Sequence, residues 1–360
     1  MKKILTILTL GGLITASTVQ AQIDFYLTGS TAFRANTYRS IRQMYVSQGG
    51  ALTGQNPADG GGNASGSNIV TWTGTMPTSF GGQTVTIHAS YSGSAAGVQA
   101  LVQNLSLTFY ANATAGNGTI ASHQADLALS DVFQSSTAYQ KPALIDSTVG
   151  VQPFTYTKSV TTPAGVTNIT IQQLQSLQSG GVLPLSYFTG NAADDANLIY
   201  LTGRDPSSGT RITSQLDSLF IGSPLLWAPD AGCNWAPFTG FSSGSGVSGV
   251  LAGACGPAIG YLGVADSKNV NGGLNILSYD GVKPFYGLIT APDWTPVTKG
   301  LYSFWSYEHL FKRSTASANV TTFNSLLKTE INNDLATSTT ALQVSAMKVS
   351  RAADGGPISP

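Results

Sequence analysis

Three short stretches of the chain, Gly29-Ser30-Thr31, Gly93-Ser94 and Ser208-Gly209-Thr210, share one chemical character. Each joins the end of a strand pattern to the start of a helical one. A helix start leaves backbone N–H groups without an intrahelical acceptor and carries roughly half a positive charge from the aligned peptide dipoles. Such an end receives anions, and serine and threonine hydroxyls add short, rotatable donors. Serine and threonine are also ordinary N-caps, so one such turn alone carries no function. Two charged residues strengthen the pattern. Arg204 ends the apolar run 198–202 four residues before Ser208, where a guanidinium can grip an oxyanion with two parallel N–H donors. Asp131 follows Ser130 at the end of another apolar run. Brought into one cleft, three turns, one guanidinium and one carboxyl would cage a tetrahedral oxyanion by local dipoles alone.

The elements needed to position these groups can be read along the chain. Residues 23–28 predict a strand, and 32–45 a helix with Phe33, Tyr38, Ile41, Met44 and Tyr45 at helical spacing. Residues 47–67 read as a long surface loop. Strand patterns at 69–73 and 84–91 flank a Pro/Gly turn, and 95–105 predicts a second helix. A polar stretch, 111–123, precedes a strand at 125–130. Strands follow at 153–160 and 198–202, with helices at 170–180, stopped by glycine, and at 210–220. The Gly/Ser-rich 240–249 reads as a linker, followed by strand-like 250–254 and 258–264. An aromatic-rich segment, 300–311, and an amphipathic helix at 318–334 close the chain. Strands alternating with helices give an α/β fold. No internal repeat is visible.

Lys2, Lys3, the apolar run 4–14 and Val19-Gln20-Ala21 form a secretory leader with cleavage expected near Ala21. No cysteine follows it to carry a lipid, and no later stretch reaches the length of a membrane span. The mature chain is expected in the periplasm or outside the cell. Removing residues 1–21 takes away two lysines and no acids, leaving about 339 residues with a net charge of −2. That surface is unsuited to nucleic acid. It also means that a bound anion is not gathered by net charge. Normal hydrophobicity with only 9 % charged residues predicts a folded, loop-rich exported protein. Cys233 and Cys255 fit a disulfide in that compartment, worth roughly 3 kcal/mol by chain entropy.

Six segments in order resemble the periplasmic phosphate-binding proteins of ABC importers, within the type II solute-binding superfamily. They are Leu27-Thr28-Gly29-Ser30-Thr31-Ala32-Phe33, Tyr91 to Val98, Ala125 to Asp131, Arg204 to Thr210, Gly256 to Tyr261 and Tyr279 to Pro284. The resemblance implies a two-lobed fold, each lobe a mixed sheet flanked by helices, with the ligand cleft between. It implies contacts to phosphate from Ser94, Asp131, Arg204, Ser208, Gly209 and Thr210, and from Thr31, Ala32 and Phe33 mainly through backbone N–H groups. Its physical logic rests on Asp131: monohydrogen phosphate has a proton to donate to a carboxylate, whereas sulfate does not. The sequence departs from the family at Ala32, at Arg34 where proline is common, at Ala95 and Ala96, and in insertions near 47–85 and 108–122. On the first turn of an exposed helix Arg34 is expected to be solvated.

The expected organisation is a leader at 1–21, one lobe from 22–152 plus 303–360, and a second from 153–302. The two segments crossing between lobes fall near 151–155 and 300–305. The expected protein is a monomeric phosphate-binding component serving an ABC permease, with no cofactor and no metal, and it is not an enzyme. Its rivals are a binder of molybdate, tungstate or arsenate, a secreted surface protein reusing the fold, and a phosphohydrolase. His88, His123 and His309 are too scattered for metal ligation or a triad. Gly240-Phe241-Ser242-Ser243-Gly244 has nucleophile-elbow spacing but sits in the linker-like stretch. Nothing in the sequence links Glu308 to Asp266 as an acid/base pair.

Overall fold

The computed structural model describes residues 22–59 and 64–360. The leader expected over 1–21 lies outside the described residues. Among those described, ten strands form one continuous mixed sheet. Its order is Val182–Pro184, Leu198–Thr202, Ala258–Gly263, Ile145–Lys158, Trp305–Lys312, Leu127–Ser130, Ile23–Gly29, Thr84–Ser90, Ile69–Thr75 and Leu52–Asn56.

The two central strands divide this sheet. Ile145–Lys158 pairs with Trp305–Lys312 as far as Pro153, opposite Trp305. From Phe154 onward it pairs instead with Ala258–Gly263. Each half of the sheet has its own core. Phe25, Leu27, Ile41, Trp72, Ile87 and Phe323 are buried together on one side, and Phe154, Tyr156, Leu174, Ile199, Tyr261 and Phe304 on the other. The result is a two-lobed α/β molecule.

In the first half, Ile23–Gly29 runs parallel to both Thr84–Ser90 and Leu127–Ser130. The helices Arg34–Ser47 and Ala318–Leu335 pack on each other, with Arg39 paired to Asp334 at 2.7 Å. In the second half, Leu198–Thr202 runs parallel to Ala258–Gly263. Gly209–Asp217 and Gly244–Ala252 cover that strand. A capping box starts Ile171–Gly180: Thr170 accepts from Gln173 N–H, and the Gln173 side chain reaches back.

Several segments differ from the sequence expectation. The stretch 47–67, expected as loop, contains the edge strand Leu52–Asn56, which pairs with Ile69–Thr75. The polar stretch 111–123 holds Ile120–Gln124, the second arm of a hairpin with Ser106–Tyr110. Both are largely polar strands on the surface, where the alternation that marks a half-buried strand is weak. The linker expected at 240–249 and the strand expected at 250–254 are instead the helix Gly244–Ala252, with Val247 and Leu251 buried one turn apart. The expected disulfide is present between Cys233 and Cys255.

Residues beyond the Ala318–Leu335 helix run back across the molecule. Met347, Val349 and Ile358 pack against the second core, and the Arg351 guanidinium lies 4.1 Å from the Trp305 ring. Asp354 accepts a hydrogen bond from Phe133 N–H at 2.8 Å, two residues after Asp131. Gly355 abuts Leu216 in the Gly209–Asp217 helix so closely that an added Cβ would lie 2.5 Å from its carbonyl carbon. Among the described residues no helix is long and apolar enough to cross a membrane.

Candidate anion site

The first turn leaves the strand Ile23–Gly29 at Gly29, whose φ of +110° places it where only glycine is at ease. Ser30 N–H bonds back to Leu129 O at 2.9 Å, and Ser30 Oγ accepts from Phe33 N–H at 3.3 Å. Phe33 thus spends its N–H on the turn itself, and its ring is buried in the first core. Thr31 and Ala32 are buried, and their N–H groups meet no acceptor among the described residues. Thr31 Oγ1 accepts from Arg204 Nη2 at 2.9 Å, joining the two halves.

The second turn is tied to the first, because Gly93 N–H donates to Gly29 O at 2.9 Å. It opens the helix Ser94–Gln103. Ala95 N–H donates to Ser207 O at 3.0 Å, again between the halves. The Ser94 hydroxyl hydrogen-bonds Asp131, and Asp131 N–H donates to Ser94 Oγ at 3.3 Å. Asp131 is 2 % exposed. Burial pushes its carboxyl up to about 6, against the pull of the Ser94 hydroxyl and the Arg204 charge, while Asp354 adds to the rise.

The third turn brings the second half to meet these groups. Ser208 Oγ accepts from Arg211 N–H at 3.3 Å and so caps Gly209–Asp217. A Cβ on Gly209 would lie 1.6 Å from Asp131 Oδ1 and 2.9 Å from Ser94 Oγ. No side chain fits there. Thr210 Oγ1 is fully buried and has no hydrogen-bond partner. Arg204 is also buried; its Nε donates to Phe241 O at 3.0 Å and its Nη2 to Ser242 O at 2.9 Å. Its Nη1 donates to none of the described residues. Burial works against the guanidinium charge, and Asp266 and Asp131 sustain it.

Thr31, Ala32, Ser94, Asp131, Arg204, Ser208, Gly209 and Thr210 therefore gather where the two halves meet. The free hydrogen-bonding capacity lies with Thr210, Arg204 Nη1 and the first-turn N–H groups, whereas Ser208 Oγ and Phe33 N–H serve the local turns.

The structure adds a fourth turn, Phe241-Ser242-Ser243, at the start of Gly244–Ala252. Its two carbonyls fix Arg204, and Asp266 Oδ2 sits where a Cβ on Gly244 would come within 2.0 Å. Ser243 before a Val247/Leu251 pair at helical spacing was the available signal, masked by the glycines around it. Arg34 departs from expectation: it is 6 % exposed, not solvated, and donates to Asn68 Oδ1. Asn68 on one side and the segment around Asp266 on the other enclose it. Arg34, Thr31 and Ala32 form one wall of a pocket of about 250 Å³, with Ser245, Asp266 and Asn269 opposite. Asp266 is raised from the ordinary carboxylate range by burial, with Arg34 and Arg204 pulling it back.

His88 and His309 are buried in structural contacts, His309 Nδ1 lying 2.9 Å from Asp146. Among the described residues no group of three or more histidines, cysteines or acids is placed to hold a metal ion.

Fold and cleft together define the class: a two-lobed α/β architecture with polar turns gathered where the halves meet. No family model matches the chain, and no curated protein matches its sequence. Solved structures do match. A putative phosphate ABC transporter substrate-binding protein with bound phosphate, from Clostridium perfringens, superposes with a TM-score of 0.57 at 15 % identity, over 89 % of this chain and 99 % of that one. An ABC-type phosphate transport receptor from Vibrio cholerae gives 0.47 at 15 % identity, over 87 % and 97 %. PstS from Borrelia burgdorferi gives 0.42 at 15 %, over 89 % and 98 %. At this identity the first of these establishes the fold.

Proposed function

We propose that this chain is an extracytoplasmic solute-binding protein that encloses inorganic phosphate between its lobes for delivery to an ABC permease, and that it is not an enzyme. The lobes are assigned to 22–152 plus 303–360 and to 153–302, moving about the strand crossings near Pro153 and Trp305.

One observation carries the reading. Asp131 and Ser94 from one half meet Gly209 from the other, while Arg204 of the second half reaches Thr31 of the first. One buried guanidinium beside one buried carboxyl leaves the cage nearly neutral, so hydrogen bonds do the holding. In this reading Arg204 Nη1, Thr210 Oγ1 and the N–H groups of Thr31, Ala32 and Gly209 donate to the anion, and the Ser94 hydroxyl orients the Asp131 carboxyl beside it. Asp131 accepts the one proton that monohydrogen phosphate offers. A site built around a ligand hydroxyl can reject the analogue lacking it by roughly 10⁴-fold or more. The bound phosphate of the Clostridium perfringens protein supports the same choice of ligand.

Calorimetric titration of the mature protein with phosphate, arsenate, molybdate and sulfate tests this. Phosphate is expected to bind tightly and sulfate weakly at pH 8, with Arg204→Ala and Asp131→Ala each losing phosphate. Tight sulfate binding at that pH would overturn the role given to Asp131. Turnover of p-nitrophenyl phosphate would overturn the non-enzymatic assignment.

A further inference from the structure

Glu308 stands in the middle of Trp305–Lys312, one of the two strands that cross between the halves, opposite Gly150. It is fully buried, and neither carboxyl oxygen has a hydrogen-bond partner. The pairing of the strand slips between Glu308 and His309, so the irregularity falls at this residue. Two residues away Ser306 Oγ is also buried without a partner, as is Oε1 of Gln152, which pairs with Ser306. A polar row thus runs along the crossing strands next to the anion site.

The groups around Glu308 can be named. Asp131, from the end of Leu127–Ser130, presents a negative charge to it, and Ser30 of the first turn stands beside it. Tyr91, whose hydroxyl is buried and unpartnered, feels its charge. Arg34 acts on Tyr91, and Arg204 on Asp131, but no cation acts on Glu308 directly. On its own strand His309 is engaged with Asp146. A carboxylate without a counter-charge is among the most costly groups to bury. Burial, then Asp131, hold Glu308 well above the ordinary carboxylate range, and Ser30 opposes them.

We propose that Glu308 is a second acid coupled to the anion site, a positioning residue that keeps its proton while the lobes are closed on the anion and releases it when they part. The proposal rests on the anion-binding reading above. The reasoning is one of linkage: opening admits water to the crossing strands and lets the carboxyl ionise, and closing on the anion takes a proton up again. A proton taken up on binding makes affinity fall as pH rises, by up to tenfold per pH unit.

The chain contains only two glutamates, Glu308 and Glu330, so carboxyl-¹³C glutamate labelling of the wild-type protein yields two resonances that Glu330→Gln assigns. The Glu308 resonance is expected to remain protonated at pH 7 with phosphate bound, and to titrate at higher pH with phosphate than without. Glu308→Gln, which keeps size and polarity but cannot ionise, is expected to bind phosphate at pH 6 as the wild type does and to flatten its loss of affinity towards pH 9. An ordinary carboxylate titration in the loaded protein would overturn the proposal. So would a midpoint indifferent to phosphate, or an unchanged pH slope in Glu308→Gln. If the wild type binds no phosphate at any pH, the ligand assignment falls first and this coupling with it. The labelled wild type settles the matter even if the glutamine variant fails to fold.

Discussion

In the proposed site Asp131 faces an anion while carrying the same sign of charge, and its surroundings decide how. Its pKa of about 6 means that it is ionised at pH 8 and increasingly protonated below pH 6. Ionised, it accepts from monohydrogen phosphate and repels sulfate; protonated, it donates to either. Sulfate affinity is therefore expected to rise as pH falls from 7 to 5, and Asp131→Asn to admit sulfate throughout that range, as competition calorimetry would show. The same carboxyl has a stability effect of defined sign. A folded pKa raised above the unfolded value favours the native state at low pH, and that contribution is lost as pH rises through about 6. Asp131→Asn should accordingly melt higher than the ligand-free wild type at pH 8, by on the order of 2–3 kcal/mol. Gly209 offers a second test. A methyl group there meets Asp131 at 1.6 Å, and such overpacking costs roughly 1–3 kcal/mol. Because Gly209 and Asp131 belong to different halves, parting the lobes relieves the clash in the ligand-free protein, so Gly209→Ala should weaken phosphate by about 5- to 150-fold in calorimetry with its melting temperature little changed. At this scale the sequence was legible where residues stand in ordered motifs, as Ser94, Asp131, Arg204 and Gly209 do. Arg34, Asp266 and Glu308 were not, because what distinguishes them is burial, a property of packing that one side chain in a row cannot reveal.

Among elements, what positions chemistry is the recurrence of strand, tight turn and helix start. Three were readable because a β-rich run ends in glycine and hydroxyls just before an apolar periodicity. The fourth, before Gly244–Ala252, was lost among residues of poor helix propensity and is held by tertiary contact of Val247 and Leu251. The polar strands Leu52–Asn56 and Ile120–Gln124 were lost for the complementary reason: their partners, not their patterns, make them strands. Two elements have stabilities that can be checked. The Cys233–Cys255 bridge spans 22 residues, and replacing both cysteines with serine should cost about 3 kcal/mol in denaturant unfolding. Thr170→Ala removes one arm of the capping box on Ile171–Gly180 and should cost about 1 kcal/mol, read the same way.

For the molecule as a whole, two lobes with separate cores share a sheet through two strands. Hydrogen bonds such as Ala95 N–H to Ser207 O join the two halves, and the proposed closure would bring them into register. Ligand that binds only the closed native state adds its binding energy to folding. Phosphate at a hundred times its dissociation constant should therefore stabilise the wild type by about 2.7 kcal/mol, and Arg204→Ala not at all. The α/β class followed from the alternation of elements and the two lobes from the family resemblance, but the path of the chain beyond residue 340 followed from neither, since that segment has no periodicity and gains its place from what it touches.

That path works like a door chain. Residues 351–360 hook onto Phe133 beside one rim of the cleft and lean on Leu216 behind the other. In the proposed opening of the lobes, the slack in this tether would cap the gape, as would the bending of the crossing strands. Removing residues 352–360 should let the jaws swing wider, so that captured anion escapes faster in stopped-flow chase measurements, while the rate of capture changes much less.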